Sequence, residues 1–222
     1  MVHISGQAAL ADDAGVDGVL PVKQRRGRRT SDRLLTAGQR LVATRAFDAI
    51  SVADIARAAD CSVGAFYLRF EDKDAFFRAL IAHYLSEARA ATLRMFATYN
   101  DDRLISALVM ITAERFRRFS GLLRSAIRKR MEDATVWEPI RRNGHFVADL
   151  LIAWLAARTG RALSAEEEIS VRFAFQVMYG TLNNAIVNQP GPLDLEDPAF
   201  LVQLERSFRL VLLSTEAAPV LK

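Results

Sequence analysis

The sequence from residue 51 to residue 70 reads SVADIARAADCSVGAFYLRF and contains two short helical patterns separated by a polar break. Ser51 and Asp54 have the spacing of a capping box, in which the serine oxygen accepts a hydrogen bond from the amide three residues on. Ile55 and Ala59 lie one turn apart and form the apolar face of the first pattern. This stretch therefore predicts a short helix that begins after Ser51.

The break between the two patterns falls at Asp60 and Cys61. Aspartate is one of the few residues other than glycine that tolerate the unusual dihedral angles of a tight turn. Ser62 can cap a second short helix, on which Phe66 and Phe70 point inward at a spacing of i and i+4. Two short helices joined by a turn of three to four residues predict a helix-turn-helix motif.

The regions on both sides of this motif also have a helical period. Before it, Leu34, Leu35, Leu41 and Val42 recur on one face of an amphipathic helix. After it, a long helix is predicted to begin at Lys73. Further helices are predicted at residues 104–119, 122–131, 138–158, 165–188 and 198–213. No stretch shows the alternation of a strand, so the sequence predicts an all-α fold.

Basic charge is concentrated in front of the motif. The net charge of the chain is only +4, yet residues 23–45 hold eight bases and one acid. A basic arm before a helix-turn-helix attracts the phosphates of a DNA duplex and releases their counterions. Taken alone, the same block could also be a solvated terminal segment. Residues 1–27 begin with an acidic, glycine-interrupted stretch and are predicted to be a mobile leader with a basic arm.

Composition and motifs argue against several classes of protein. The longest apolar run, residues 150–157, is far shorter than the roughly 20 residues that span a bilayer. Cys61 is the only cysteine, which excludes an intramolecular disulfide framework and is typical of a reducing cytoplasm. The histidines lack zinc-ligand spacing, and no nucleotide-binding, hydrolase or metalloprotease motif is present. We therefore expect a cytoplasmic protein that is not an enzyme and has no metal, cofactor or membrane partner.

Three segments carry a family resemblance: residues 50–56 read ISVADIA, residues 62–70 read SVGAFYLRF, and Lys73 and Asp74 follow. In these segments the sequence resembles the TetR family of transcriptional regulators. Residues 50–56 match the family's second helix, residues 62–70 its recognition helix, and Lys73 and Asp74 the start of its fourth helix. The resemblance implies a three-helix DNA-binding domain at residues 28–88. It also implies a larger helical domain for ligand binding and dimerisation at residues 89–222.

The predicted DNA contacts come from two sources. The basic block contributes Arg28 and Arg29, and the resemblance implies Ser51, Ser62, Val63, Ala65, Tyr67, Arg69 and Lys73. The last three are expected mainly at phosphates, whereas the first turn of the recognition helix is expected near base edges. The sequence departs from the family pattern at Ala46 and Asp60, where glycine is usual, and at residues 68–69, where an aromatic-histidine pair is common. These departures leave the operator sequence open.

A dimer would place two recognition helices about 34–36 Å apart, which is one turn of the DNA helix. The predicted helices at residues 165–188 and 198–213 are apolar around most of their circumference, which indicates burial on more than one side. In the TetR family the last two long helices form the dimer interface. The interface candidates are Phe173, Val177, Leu182, Leu204, Phe208 and Val211. The alternative is that both helices fill the core of a single subunit.

The resemblance also implies a pocket for a small-molecule effector among the C-terminal helices. Apolar and aromatic residues with a few polar groups are typical of such pockets. The candidates are Phe116, Trp137, His145, Trp154, Tyr179 and Asn183. The alternative is that these residues are ordinary core residues, and that His145 forms a surface pair with Arg141.

A second basic cluster lies at residues 115–130, which hold seven bases and no acid. Runs of this kind are common on solvated helix faces, and they can also bind an anionic ligand or DNA phosphates. The sequence does not decide between these roles.

The sequence as a whole predicts a homodimeric regulator of transcription that binds an inverted-repeat operator and releases it when a small molecule binds. A repressor is favoured over an activator of the same fold. The alternatives are an all-α small-molecule-binding protein without DNA function and an enzyme with its site among the C-terminal helices. The enzyme alternative lacks a carboxylate pair, a nucleophile with its base, or a metal cluster.

Overall fold

The computed structural model describes the backbone of residues 18–20 and 25–212, and the side chains of these residues except 25–28. Within them the regular structure is helical apart from one isolated β-bridge. The α-helices are α1 (Arg25–Thr44), α2 (Val52–Ala58), α3 (Val63–Tyr67), α4 (Lys73–Thr98), α5 (Arg103–Arg118), α6 (Ser120–Lys129), α7 (Glu138–Thr159), α8 (Ala165–Asn188) and α9 (Pro198–Leu212). Single 3-10 turns lie at Phe47–Ala49 and Ala134–Val136. The prediction of an all-α fold is confirmed.

The chain divides into two compact units. The first contains the residues up to Ser86 together with Gly121–Pro139, and the second contains Glu87–Ser120 and the residues from Ile140 onward. Residues 121–139, which the predicted boundary assigns to the C-terminal domain, thus group with the helix-turn-helix. None of the helices in the described residues has an apolar stretch long enough to cross a membrane.

The first unit is built around a cluster of phenylalanine rings. Phe66, the fourth of the five residues of α3, lies 5.3 Å, centroid to centroid, from both Phe70 and Phe76, and Phe47 lies 4.5 Å from Phe77. All five side chains are at most 1% exposed. Aromatic contacts at these distances add to the free energy gained by burial. The predicted inward direction of Phe66 and Phe70 is confirmed.

Helix α6 packs within the first unit through a backbone contact. A Cβ atom on Gly121 would lie 1.7 Å from the carbonyl oxygen of Val42, so only glycine allows the two chains to come this close. One turn later, the buried Ser125 Oγ accepts a hydrogen bond from Phe47 N at 3.2 Å and donates one to Gly121 O at 2.9 Å. These contacts explain why residues 121–139 group with the N-terminal helices.

The N-terminal leader includes a short ordered segment at residues 18–20. Val19 lies opposite Phe70 in an antiparallel β-bridge, Leu20 N donates to Arg69 O at 2.9 Å, and Glu71 N donates to Gly18 O at 3.0 Å. Within the predicted mobile leader, residues 18–20 form these main-chain bonds and residues 25–27 open α1, and the mobility of the leader stays a prediction. Residues 1–17 and 21–24 of that prediction lie outside the described residues.

In the second unit α8 packs against α9, and both contact α5. A polar network connects α5 to α9: Ser106 Oγ donates to Glu205 Oε1 at 2.7 Å, and Arg209 Nε donates to the same oxygen at 2.8 Å. Arg209 Nη2 also donates to Ser106 Oγ at 2.9 Å. Because each member has two partners, the network fixes how α9 lies on α5.

Candidate nucleic-acid interface

The start of α2 has the capping box that the sequence predicts. Ser51 Oγ accepts a hydrogen bond from Asp54 N at 3.0 Å, and Ser51 N donates to Asp54 Oδ2 at 3.1 Å. The bond from the Ser51 main-chain N–H, reinforced by the serine side chain, lowers the pKa of the Asp54 carboxyl. Asp54 therefore stays ionised at the positive end of α2, where a negative charge is favourable.

The turn between α2 and α3 is held by two arginines of α1. Asp60 has a left-handed backbone with φ 50°, and Arg33 Nη2 donates to both its carbonyl oxygen and its carboxylate. Arg40 Nη2 donates to Ala58 O at 3.1 Å. Asp60 thus takes the dihedral for which the family usually has glycine. Sequence reasoning missed Arg33 and Arg40 because no local spacing connects them to the turn.

The other departure from glycine, Ala46, has a simpler explanation. It lies between α1 and the 3-10 turn with φ −61° and ψ 138°, an extended conformation that any residue can adopt. Alanine therefore fits without strain at this position.

Helix α3 has one face buried and the other open. Ser62 Oγ accepts a hydrogen bond from Ala65 N at 3.1 Å and caps the helix, and Phe66 is fully buried beneath it. On the outer side, Val63 is 42% exposed and Tyr67 is 50% exposed. The buried ring anchors the short helix, and its outer side chains are open to an approaching molecule.

The first unit contains all of the predicted DNA contacts. Exposed side chains are Arg29, Ser51, Ser62, Val63 and Tyr67, and half-buried ones are Ala65, Arg69 and Lys73. The side chain of Arg28 lies outside the described residues.

Two of the predicted phosphate contacts also have partners within the protein. Lys73 Nζ donates to Asp48 O at 3.1 Å and lies 4.8 Å from the centre of the Phe47 ring. Because an ammonium group has three donors, it can still reach a phosphate. Arg69 Nη1 donates to Leu68 O at 2.8 Å, while its Nε is enclosed and has no hydrogen-bond partner.

The structure brings together only some of the predicted effector contacts. The ring of the buried Phe116 lies 6.1 Å from that of Tyr179, and Asn183 follows one turn later on α8. Asn183 Oδ1 is enclosed and has no hydrogen-bond partner. Trp137 belongs to the first unit, where its ring lies 5.6 Å from Arg130, whereas the other effector candidates belong to the second unit.

The other two effector candidates lie beside arginines. His145 is exposed, with Nε2 3.5 Å from Arg141 Nη1, which is the surface pair named above as the alternative. The Trp154 ring lies 4.9 Å from the guanidinium of Arg158. Among the described residues, no three histidine, cysteine, aspartate or glutamate side chains are grouped so as to hold a metal ion.

The predicted dimer contacts divide into buried and exposed residues. Leu182, Leu204 and Phe208 are at most 4% exposed within one subunit, so their assignment to a dimer interface is wrong. They face the core because α8 and α9 pack against each other and against α5. Phe173 is 49% exposed, and Val177 and Val211 are half-buried. A role of these three residues in the dimer interface stays a prediction.

The second basic cluster is largely engaged by neighbouring groups and is divided between the two units. Arg117 forms ion pairs with Glu114 and Glu196, and Arg115 and Arg118 lie beside the Phe119 ring. In α6, Lys129 Nζ lies 2.6 Å from Asp74 Oδ1, and Arg128 Nη2 lies 3.4 Å from Asp48 Oδ2. The positive charges of Arg117, Arg128 and Lys129 are thus partly neutralised by these acidic side chains.

Known proteins resemble this chain in both sequence and fold. Residues 34–80 match the family described as bacterial regulatory proteins, tetR family. Over 72 residues the chain is 40% identical to the HTH-type transcriptional regulator YwcC of Bacillus subtilis (strain 168). That match spans 32% of this chain and 30% of the relative.

Solved structures share the fold over most of the chain. A TetR-family transcriptional regulator of Mesorhizobium loti has a TM-score of 0.67 at 14% identity, with 86% of this chain and 98% of that chain covered. Thermus thermophilus FadR, a TetR-family repressor in complex with lauroyl-CoA, has a TM-score of 0.54 at 21% identity, with 82% and 93% covered. By its helix-turn-helix and the match at residues 34–80, the N-terminal part of the chain is similar to the tetR family of bacterial regulatory proteins.

Proposed function

We propose that this protein is a DNA-binding regulator of transcription that inserts α3 into the major groove. The observation that carries the proposal is the two-sided character of α3, which is anchored by the fully buried Phe66 and exposed at Val63 and Tyr67. A major groove about 12 Å wide admits a helix presented in this way. The match of residues 34–80 to the tetR family of bacterial regulatory proteins supports the same function.

The chemistry of the exposed groups suggests a division of labour. Val63 and Ala65 lie at the start of α3, where a recognition helix meets base edges. Tyr67, Arg69 and Lys73 follow and carry the hydroxyl and cationic donors suited to phosphate oxygens.

The two cap serines fit the same scheme. The hydroxyl oxygens of Ser51 and Ser62 already accept main-chain N–H groups, so each hydroxyl keeps its proton to donate to a phosphate. We therefore assign both serines to phosphate contacts rather than to base recognition.

We further propose that the regulator works as a homodimer on an inverted repeat. Apolar side chains stay exposed along α8 and α9 of a single subunit, namely Ile169, Phe173, Val187, Val202 and Leu210, each at least 47% exposed. Contact between two copies through this face would remove that surface from water. A twofold interface would also present two α3 helices to two half-sites.

A small-molecule effector is proposed to control DNA binding. The enclosed Asn183 Oδ1 lacks a donor, and it lies on the same helix as Tyr179, which stacks on Phe116. A ligand N–H or O–H group could supply the missing hydrogen bond, and the rings could cover its apolar part.

We propose repression that is relieved by this effector. Such an effector would bind more tightly to a form of the dimer whose two α3 helices cannot fit successive major grooves. A difference of about 2.7 kcal/mol in its binding free energy between the two forms would lower operator affinity roughly 100-fold. A thermal-shift screen of small molecules detects such a ligand, because binding to the folded state raises the melting temperature.

Selection of duplexes from a random-sequence pool tests DNA binding. The full chain is expected to enrich an inverted repeat, and its affinity is expected to fall steeply as salt rises from about 50 to 200 mM. Substitution of Arg29 by alanine should lower the salt slope by about one if this exposed residue touches a phosphate. Failure to enrich any duplex would favour the alternative of a small-molecule-binding protein without DNA function.

A further inference from the structure

Residues 18–20 form a clasp on the segment that follows the recognition helix. Their two main-chain hydrogen bonds, Leu20 N to Arg69 O and Glu71 N to Gly18 O, lie on either side of the Val19–Phe70 bridge. We propose that this clasp positions α3 and Arg69 for DNA, and that Gly18 is a positioning residue for DNA recognition. The inference rests on the proposed DNA-binding function.

Helix α3 needs such support because it is only five residues long. A helix of this length is unstable by itself, since the cost of nucleation is not recovered over so few residues. Phe66 and Phe70 anchor its inner side in the aromatic core. The clasp adds main-chain bonds immediately after α3, at the residues on both sides of Phe70.

Glycine at position 18 is required by both its backbone and its surroundings. Its φ of 78° lies in the left-handed region, and an added Cβ would lie 2.7 Å from Ala75 Cβ and 3.3 Å from Arg78 Nη2. Ala75 is fully buried in the first turn of α4, so it cannot move aside without a cost in packing. A side chain at residue 18 would therefore push the clasp away from the segment that it holds.

The clasp bears directly on Arg69, one of the predicted phosphate contacts. The Arg69 carbonyl oxygen accepts the hydrogen bond from Leu20, while its guanidinium Nη1 donates to the neighbouring Leu68 O. This side-chain bond is local to the chain. The direction of the guanidinium thus follows the backbone of residues 68–69, which the clasp holds in place.

Two clasp variants and one matched control test the proposal in the full chain. Gly18→Val pushes a side chain into Ala75, and Leu20→Pro removes the N–H that bonds to Arg69 O, at a side chain that is 41% exposed. Gly160→Val is the control, because Gly160 also has a positive φ, of 69°, but an added Cβ there meets nothing within 4 Å. The probe is the duplex that the wild-type chain selects from a random pool, followed by fluorescence anisotropy at several salt concentrations.

Both clasp variants are expected to bind the duplex roughly tenfold more weakly than wild type, with the salt slope lowered by about one, as after the loss of a phosphate contact. The Gly160→Val control should bind like wild type. Wild-type affinity in both clasp variants would overturn the proposal. If circular dichroism shows that Gly18→Val does not fold, the affinity of the Leu20→Pro variant for the duplex decides the test.

A double-mutant cycle separates positioning of Arg69 from a general loss of stability. Arg69→Ala should weaken binding in the wild-type background and cause little further loss in the Gly18→Val or Leu20→Pro background, because the contact is already lost. Fully additive losses would contradict a role through Arg69. If the wild-type chain selects no duplex, the proposed function itself fails, and that result differs from clasp variants that bind like wild type.

Discussion

Arg33 and Asp60 are joined at two points: Arg33 Nη2 lies 2.6 Å from the Asp60 carbonyl oxygen and 3.0 Å from Oδ2. Asp60 has a φ of 50°, which is uncommon for a residue with a side chain. The arginine thus holds, from α1, the turn that sets the angle between α2 and α3. A glycine at residue 60 would have the same backbone freedom but could not form the second of these bonds.

Substitution of Asp60 separates the backbone effect from the ion pair. Asp60→Ala should destabilise the protein by about 1–2 kcal/mol, because alanine is strained at positive φ and the pair is lost. Asp60→Gly loses the same exposed pair without strain and should cost less than about 1 kcal/mol. Urea unfolding of both variants gives the comparison, and equal stabilities would contradict a strained turn.

Gly121 should tolerate no side chain. An alanine Cβ there would lie 1.7 Å from Val42 O, so Gly121→Ala is expected to cost about 3 kcal/mol or more as α6 is displaced. Gly64→Ala is the control: it lies in α3 of the same unit, and its added Cβ would meet only Ser62 Oγ, at 3.8 Å. That control should be stabilised by up to about 1 kcal/mol in urea unfolding. Equal effects of the two substitutions would argue against the close contact of α6.

Glu167 should make stability depend on pH in the acid range. The paired hydrogen bonds from Arg161, at 2.6 and 2.7 Å, and that from Ser164 N lower its pKa from 4.5 to about 2. Because the folded pKa is the lower one, its contribution is complete above pH 4.5 and is lost as the pH falls toward 2. Melting temperatures from pH 6 to pH 2 should fall less steeply for Glu167→Gln. Parallel curves would contradict the depressed pKa.

Substitutions on and after α3 should separate positioning from base recognition. Tyr67→Phe removes only the hydroxyl of a residue that is 50% exposed, and it should weaken the binding of selected and scrambled duplexes alike. Ala65→Ser, at the first turn of α3, should change which sequence is enriched from a random pool. Competition binding and repeated selection measure the two effects. A change of sequence preference by Tyr67→Phe would refute this division.

The exposed face of α8 should control the oligomeric state. Phe173→Glu is expected to give a folded monomer, because Phe173 is 49% exposed in a single subunit. Phe208→Glu places a charge at a position that is 1% exposed and should unfold the protein instead. Light scattering with circular dichroism distinguishes these outcomes. A Phe173→Glu variant that remains dimeric would show that the dimer interface does not include Phe173.

Features that depend on neighbours in sequence were predictable. The bond from Asp54 N to Ser51 and the one from Ala65 N to Ser62 span three residues each, so their spacing is visible in the sequence. The same holds for the inward Phe66 and Phe70, one helical turn apart. Leu182 and Leu204 were misassigned because a pattern of apolar residues shows that a side is buried, but not against which partner.

By itself the sequence determined the all-α class, the helix-turn-helix at residues 51–70 and the residues that α3 exposes, because helical period and capping act over one or two turns. Only the tertiary structure decided that α6 packs with the N-terminal helices, that Arg33 holds the turn, and that residues 18–20 lie on the segment after α3. In each of these the partners are separated by 27 residues or more, for example 78 between Phe47 and Ser125. No local pattern encodes such a contact. It arises when packing leaves a gap that only glycine fits, or a main-chain group that needs a partner.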